Sequence, residues 1–82
     1  MPAALVIYST PWCGYCTRLK RQLDRLGVAY DDIDIDRDED AAATVLRVNG
    51  GNATVPTVIF PDGSVATNPT LAEVTSRLEL SA

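Results

Sequence analysis

The sequence predicts an α/β fold in which a four-stranded mixed sheet is covered by three helices, in the order β-α-β-α-β-β-α. The first half alternates short apolar runs with segments of helical periodicity, the pattern of strand–helix–strand units. The second half contains a hairpin turn signal and then a helix-capping sequence. With 82 residues, 46% of them hydrophobic, residues 1–82 are predicted to form a single domain with a modest core.

The first strand and the first helix have the clearest boundaries. Leu5–Tyr8 is short, apolar and partly β-branched, as expected of a buried strand. Gly14–Leu26 carries apolar residues at helical spacing. Gly27 follows it, and glycine commonly ends a helix in the left-handed conformation.

The second strand is predicted over Val28–Ile35, parallel to the first, because strand–helix–strand units form right-handed parallel crossovers. Its aspartates indicate an edge position, where charge prevents unwanted pairing. Asp36 is predicted to cap the second helix, with Glu39 completing a capping box. That helix should extend to Val48 and stop at the Asn-Gly-Gly sequence that follows.

The remaining elements are short. Thr57–Phe60 and Ser64–Ala66 are predicted strands, and Pro61-Asp62-Gly63 between them is a hairpin turn signal. Thr70 and Glu73 form a second capping box ahead of the last helix. The apolar stripe of that helix consists of Leu71, Val74 and Leu78.

The two cysteines of the chain, Cys13 and Cys16, form a Cys-x-x-Cys motif between the first strand and the first helix. This placement is typical of a thioredoxin-like redox site. Cys13 would lie at the helix start, where unpaired backbone N–H groups and the helix dipole favour a negatively charged sulfur. Cys16, one turn deeper on the same face, is close enough to exchange disulfides with it. Cys13 is therefore predicted to attack and Cys16 to resolve.

Two other interpretations of the cysteine pair are less well supported. A structural zinc site takes four ligands, but the chain has no histidine and no third cysteine, so zinc would need a second chain. Two unreactive, packed cysteines are the other alternative. That interpretation fits Cys16 better than Cys13, which has Gly, Pro and Trp around it.

Composition excludes several classes of function. The formal net charge of −4 argues against general nucleic-acid binding. Met1-Pro2-Ala3-Ala4 lacks the basic segment of a secretory signal, and the apolar run after it is too short to span a membrane. Two cysteines in one motif are not a secreted disulfide framework, so a reducing, cytoplasmic location is predicted.

Charge is unevenly distributed along the chain, and we interpret most of it as solvated helix and strand surface. The basic residues of the first helix are Arg18, Lys20, Arg21 and Arg25. The acidic block that follows comprises Asp31, Asp32, Asp34, Asp36, Asp38, Glu39 and Asp40.

Two aromatic residues, Trp12 and Tyr15, flank the cysteines. Exposed aromatic side chains beside a nucleophile are typical contact residues, so both are candidates for lining a substrate groove. The alternative is that they cover the edge of a small core.

The element order, the Cys-x-x-Cys after strand one and the Val55-Pro56 pair before strand three resemble the glutaredoxin branch of the thioredoxin fold. The resemblance covers nearly the whole chain. It implies that Pro56 is cis and faces the active cysteines. It also implies that the Thr54–Val55 backbone would pair with an extended thiol substrate.

Within that family, the chain departs from glutathione-using members and resembles the actinobacterial mycoredoxins. Thr10 replaces a frequent lysine, and Ala66–Thr70 replaces a Gly-Gly-x-Asp segment that grips glutathione. The mycoredoxin-like stretches are Trp12–Cys16, Val48–Asn52, Thr54–Val58 and Thr67-Asn68-Pro69.

The mycoredoxin resemblance implies a monomeric enzyme that reduces mixed disulfides between proteins and mycothiol, an amino-sugar thiol. Mycothiol would be the thiol co-substrate, and no other cofactor or metal is expected. Thr67 and Asn68 would supply side-chain hydrogen bonds to the sugar-like group.

Two alternative functions stay open from the sequence. An NrdH-type dithiol donor to ribonucleotide reductase is one, although the chain lacks the Ser-Gly-Phe-Arg-Pro-like stretch usual before the last helix. The other is an iron–sulfur carrier in which Cys13 from two subunits and two small thiols hold a cluster. Gly14, which stands where a proline is common, makes that assembly conceivable.

Overall fold

The computed structural model describes residues 5–81, with side chains described to residue 78. Its seven elements follow the predicted order, so the predicted fold class is confirmed. The Met1–Ala4 segment, on which the absence of a secretory signal was judged, lies outside the described residues. The elements are β1 (Leu5–Ser9), α1 (Gly14–Leu26), β2 (Tyr30–Asp34), α2 (Glu39–Val48), β3 (Thr57–Ile59), β4 (Val65–Thr67) and α3 (Leu71–Ser81).

The four strands form one mixed sheet in the order β2-β1-β3-β4. β1 is parallel to β2, as predicted for a strand–helix–strand unit, and antiparallel to β3. β3 and β4 form the predicted hairpin. β2 therefore lies at the edge that its aspartates indicated, and the start of α1 lies beyond the carboxyl end of a central strand.

Alternation along β1 separates its two faces, with Leu5 and Ile7 fully buried and the residues between them partly exposed. The core cluster joins strand residues to side chains of α1 and α3, so these two helices cover the same core. Its members are Leu5, Ile7, Leu19, Leu23, Val58, Phe60, Ala66 and Val74. α2 contributes a smaller buried face of Ala41 and Val45.

Helix α1 begins and ends where the sequence predicted. Cys13 is its N-cap residue in an extended conformation, and Gly27 ends it with φ = 71°. At that positive φ a side chain would be strained, which explains the glycine. The helix start therefore fixes Cys13 at the carboxyl end of β1.

The predicted cap of α2 is wrong by two residues. Asp38, not Asp36, is the N-cap, and its Oδ1 accepts from the Ala41 N–H at 3.0 Å. The chain first turns at residues 35–37, where the Arg37 N–H donates to the Asp34 carbonyl at 3.2 Å. That turn delays the helix and leaves Asp36 exposed, with its carboxylate available to another partner.

The strand limits also differ slightly from prediction. β2 is shorter than the predicted Val28–Ile35, since the Val28 N–H donates to the Leu23 carbonyl as part of the α1 terminus. Thr70 caps α3 as predicted, with its Oγ1 accepting from the Glu73 N–H at 3.1 Å.

Candidate functional site

The Cys13 sulfur lies at the start of α1 and receives a backbone hydrogen bond there. Its Sγ accepts from the Cys16 N–H at 3.2 Å, and the Cys13 residue is 6% exposed. The Cys13 thiol can also donate to the Val55 carbonyl, with an Sγ···O distance of 3.8 Å. An unpaired helix N–H and the positive end of the helix dipole both stabilise a negative charge at this sulfur. The geometry thus suits Cys13 to a nucleophilic role.

Cys16 has a different environment from Cys13. It is fully buried, and both cysteines are free thiols. Burial, and then the hydrogen bond to Cys13, raise the pKa of the Cys16 thiol to about 12, against a backbone hydrogen bond from Thr10 and the charge of Lys20. Cys16 therefore stays a neutral thiol near pH 7 and is shielded from direct attack by a large substrate.

A bent segment before β3 faces Cys13. The Val55–Pro56 peptide bond is cis, as the family resemblance implied, with Val55 half-buried and Pro56 buried. The Thr57 hydroxyl donates to the Thr54 carbonyl at 2.7 Å, which closes the bend. The Val55 carbonyl contacts Cys13 Sγ, so this backbone can pair with whatever is attached to that sulfur.

Asn49, the C-cap residue of α2, belongs to the site although its place in the sequence predicted only a helix end. Its amide N–H donates to Thr57 Oγ1 at 2.9 Å, and its carbonyl oxygen accepts from Thr67 Oγ1 at 2.6 Å. Asn49 therefore joins the end of α2, the cis-proline segment and β4. The one sequence signal was an amide side chain just before Gly50, at the predicted helix end.

Thr67 and Asn68 are both exposed and lie at the end of β4. The Thr67 hydroxyl already donates to Asn49. Asn68 has φ = 48°, and its N–H donates to the Pro56 carbonyl at 2.7 Å. The predicted neighbourhood of Val55-Pro56 and Thr67-Asn68 is thus present, with the Asn68 side chain directed to the surface.

The two aromatic residues are exposed, Trp12 by 74% and Tyr15 by 68%, so neither covers the core. Trp12 and Cys13 line one groove of about 560 Å³. Tyr15 and Asn68 line a second groove of about 550 Å³ between α1 and the start of α3. Trp12 therefore lies in a different groove from Tyr15 and Asn68, and the two grooves adjoin at Arg18 and Gln22. The other predicted groove residues, Thr54, Val55, Pro56 and Thr67, line neither of these two grooves.

Residues 5–81 contain no group of three or more histidine, cysteine or carboxylate side chains that could hold a metal ion. Across the same part of the chain, every helix is too short or too polar to cross a membrane. The chemistry available at the site is that of two thiols, one at a helix start and one buried beneath it.

Comparison with known proteins places this arrangement in a family. The glutaredoxin family model matches residues 5–65. A Mycobacterium tuberculosis protein named as a candidate glutaredoxin is 57% identical over 76 residues, covering 93% of this chain and 90% of that protein. Mycoredoxin 1 of Corynebacterium glutamicum is 51% identical over 75 residues, with 92% of each chain covered.

A solved structure supports the same assignment. The crystal structure of a glutaredoxin from Methanosarcina mazei is similar with a TM-score of 0.78 and 27% identity, over 93% of this chain and 78% of that one. The family match spans the Cys-x-x-Cys, the cis-proline segment and strands β1, β2 and β3. The chain belongs to the glutaredoxin family and is a glutaredoxin-type thiol–disulfide oxidoreductase similar to mycoredoxin.

Proposed function

We propose that this protein reduces mixed disulfides between proteins and mycothiol, and that Cys13 is the attacking sulfur. The observation that carries the proposal is the Cys16 N–H donated to Cys13 Sγ at the helix start. The 51% identity to a mycoredoxin supports mycothiol as the thiol. Two cysteines in a single motif and a thiol as reductant suit a reducing compartment, so the proposal includes a cytoplasmic location.

In the first step the Cys13 thiolate attacks the mycothiol sulfur of the mixed disulfide. The protein–mycothiol S–S bond breaks, a Cys13–mycothiol S–S bond forms, and the protein thiolate leaves with the electron pair. The Cys16 N–H and the N-terminal end of α1 stabilise the Cys13 thiolate before the attack and again when it is released.

In the second step a free mycothiol thiolate attacks the Cys13–mycothiol disulfide. Oxidised mycothiol leaves and the Cys13 thiolate is regenerated, so one free mycothiol is consumed for each protein thiol released. Cys16 is poorly prepared for this attack because burial raises the pKa of its thiol to about 12. An external thiol is therefore the proposed resolving agent. Attack by Cys16 on the Cys13–mycothiol disulfide is a secondary route to the same release.

The mycothiol moiety is proposed to lie beside the cis-proline segment and the end of β4. Val55 offers backbone groups next to Cys13 Sγ. Asn68 is exposed, and its backbone N–H donates to the Pro56 carbonyl. Thr54, Thr67 and Tyr15 complete this candidate surface. Trp12 lines the first groove together with Cys13.

The test is reduction of one mycothiolated protein with mycothiol, glutathione or thioredoxin reductase supplied separately. We expect turnover with mycothiol, retention of much activity in Cys16→Ser, and complete loss in Cys13→Ser. Loss of activity in Cys16→Ser as complete as in Cys13→Ser would contradict the one-thiol mechanism and favour a dithiol donor of the NrdH type. Turnover with glutathione equal to that with mycothiol would contradict the assigned thiol.

A further inference from the structure

We propose that protein substrates dock through an acidic segment on a row of three arginines, Arg18, Arg21 and Arg25, hereafter the arginine stripe. The stripe begins beside Cys13 and follows the outer face of α1. This inference rests on the proposed function, because it assigns the protein part of the mixed disulfide a binding surface. It assigns nothing to the small thiol.

Helix geometry aligns the stripe with the nucleophile. Gly14, Arg18, Arg21 and Arg25 are four, three and four residues apart, so they form one row along α1. At a rise of 1.5 Å per residue, Arg25 lies about 18 Å along the axis from Cys13. All three arginines are exposed. The row is thus a continuous basic surface that starts at the reacting sulfur.

The groove beside the stripe extends from the reacting sulfur along the helix to Arg25. It measures about 560 Å³ and is lined by Trp12, Cys13 and the three arginines. An extended peptide advances about 3.3 Å per residue, so roughly five or six residues after a bound cysteine would reach Arg25. Trp12 would form one wall near the cysteine.

The three arginines have no carboxylate partner among the described residues. The ion pairs there join Lys20 to Asp32, Arg37 to Asp34 and Arg77 to Glu73. The nearest acidic residue of α1, Asp24, accepts a hydrogen bond from the Tyr30 hydroxyl at 2.9 Å. The guanidinium groups of the stripe are therefore available to carboxylates of another molecule.

An acidic peptide fits this surface better than a nucleic acid does. The whole chain carries a net charge of −4, which repels a long polyanion, whereas a few carboxylates need only the local basic row. Among the described residues no carboxylate of the acidic block pairs with the stripe, and Asp36, which accepts from the Trp12 indole N–H, lies at the cysteine end of the groove. The occupant assigned to the groove is an extended segment with two or three acidic residues within about six positions of the modified cysteine.

The test compares two peptides that carry the same mixed disulfide, one with glutamates after the cysteine and one with glutamines. Wild-type kcat/KM should be higher for the acidic peptide and fall with added salt. Arg21→Gln should lower kcat/KM for the acidic peptide about two- to threefold, and Arg21→Gln/Arg25→Gln about fivefold to tenfold, with the glutamine peptide unaffected. Arg47→Gln is the matched control, since Arg47 is an exposed arginine on α2.

Equal losses on both peptides, or an equal loss in Arg47→Gln, would overturn the proposal while leaving the proposed function intact. Failure of the wild type to reduce either peptide would overturn the proposed function.

Docking can also be measured as binding alone, without a disulfide-exchange reaction. Trp12 is the one tryptophan of the chain, so its fluorescence reports occupation of the groove by a cysteine-free acidic peptide. A salt-sensitive change that Arg21→Gln weakens supports the proposal. An unchanged emission, or an equal response to a single-stranded oligonucleotide, contradicts the assigned occupant.

Discussion

The Trp12 indole N–H donates a hydrogen bond to the Asp36 carboxylate at 3.0 Å, across 24 positions of the chain. Trp12 follows β1 and Asp36 follows β2, and the carboxyl ends of these parallel strands meet at one edge of the sheet. The bond restrains an exposed aromatic side chain beside Cys13. Because α2 is capped by Asp38, the Asp36 carboxylate is left to accept the hydrogen bond from Trp12.

Substitutions of Asp36 and Asp38 should have different effects, one on activity and the other on the free energy of unfolding. Asp36→Ala is expected to lower kcat/KM for protein mixed disulfides about two- to fivefold, the scale of one hydrogen bond, because the Trp12 ring loses its restraint. Its unfolding free energy should change by less than about 0.5 kcal/mol, as for most surface substitutions. Asp38→Ala should lose about 1 kcal/mol of stability through the N-cap and keep its activity. The reverse pattern would contradict these assignments.

The raised pKa of Cys16 predicts a loss of stability at alkaline pH. Burial, followed by the bond to Cys13, raises the pKa from 9.0 to about 12, so above pH 9 the unfolded chain releases a proton that the folded chain keeps. Unfolding is then favoured as pH rises, and this contribution saturates near pH 12. Tyr30, whose pKa burial and then its bond to Asp24 raise from 10.0 to about 12, contributes mainly above pH 10. Between pH 9 and 10 the Cys16 thiol is therefore the larger of the two contributions.

The measurement uses Cys13→Ser, so that one thiol titrates, against Cys13→Ser/Cys16→Ser. Denaturant midpoints should fall between pH 9 and 10 in the single variant and stay flatter in the double variant. Burial, the largest cause of the raised pKa of Cys16, remains in Cys13→Ser, and the double variant lacks the titrating thiol. Parallel curves would show that the Cys16 thiol titrates alike in the folded and unfolded chains.

Local sequence signals predicted the fold and the cysteine placement because each depends on few neighbours. Leu19 and Leu23 lie at helical spacing, and Gly27 ends their helix, so α1 was correct at both ends. The Asp36 cap failed because two aspartates two residues apart can each cap a helix, and the turn closed by Arg37 and Asp34 chooses between them. That turn is not encoded in the spacing of the acidic residues.

The contacts around the cysteines were less predictable because they join distant segments. Asn49 contacts Thr57 and Thr67, which lie 8 and 18 positions further along, and its sequence position indicated only a helix end. The Trp12–Asp36 bond likewise depends on strand pairing. The sequence indicated which residue types could bind a thiol, whereas the three-dimensional structure puts Trp12 in one groove and Tyr15 and Asn68 in another.

Asn49→Ala should weaken both stability and turnover. Removing the amide leaves the buried Thr57 hydroxyl without its donor and frees Thr67, so a loss of about 1–3 kcal/mol of unfolding free energy is expected. The Thr54–Pro56 backbone that faces Cys13 should also become less ordered, and kcat/KM should fall. Asn52→Ala is the control, because the exposed Asn52 side-chain amide donates to the backbone carbonyl of Asn49 and not to Thr57 or Thr67. Equal effects of the two substitutions in thermal unfolding would contradict the role given to Asn49.

Asn68 supplies the sharpest test of the mycothiol surface. If its amide hydrogen-bonds the sugar-like group, Asn68→Gly should lower turnover with mycothiol by about 1 kcal/mol, near fivefold, and leave turnover with mercaptoethanol unchanged. Glycine is the informative substitution because Asn68 has φ = 48°, a conformation that glycine adopts freely and alanine does not. Asn68→Ala would add backbone strain and disturb the bond from the Asn68 N–H to the Pro56 carbonyl, which should slow both thiols. Equal losses with both thiols in Asn68→Gly would mean that this side chain serves the turn before α3 rather than the substrate.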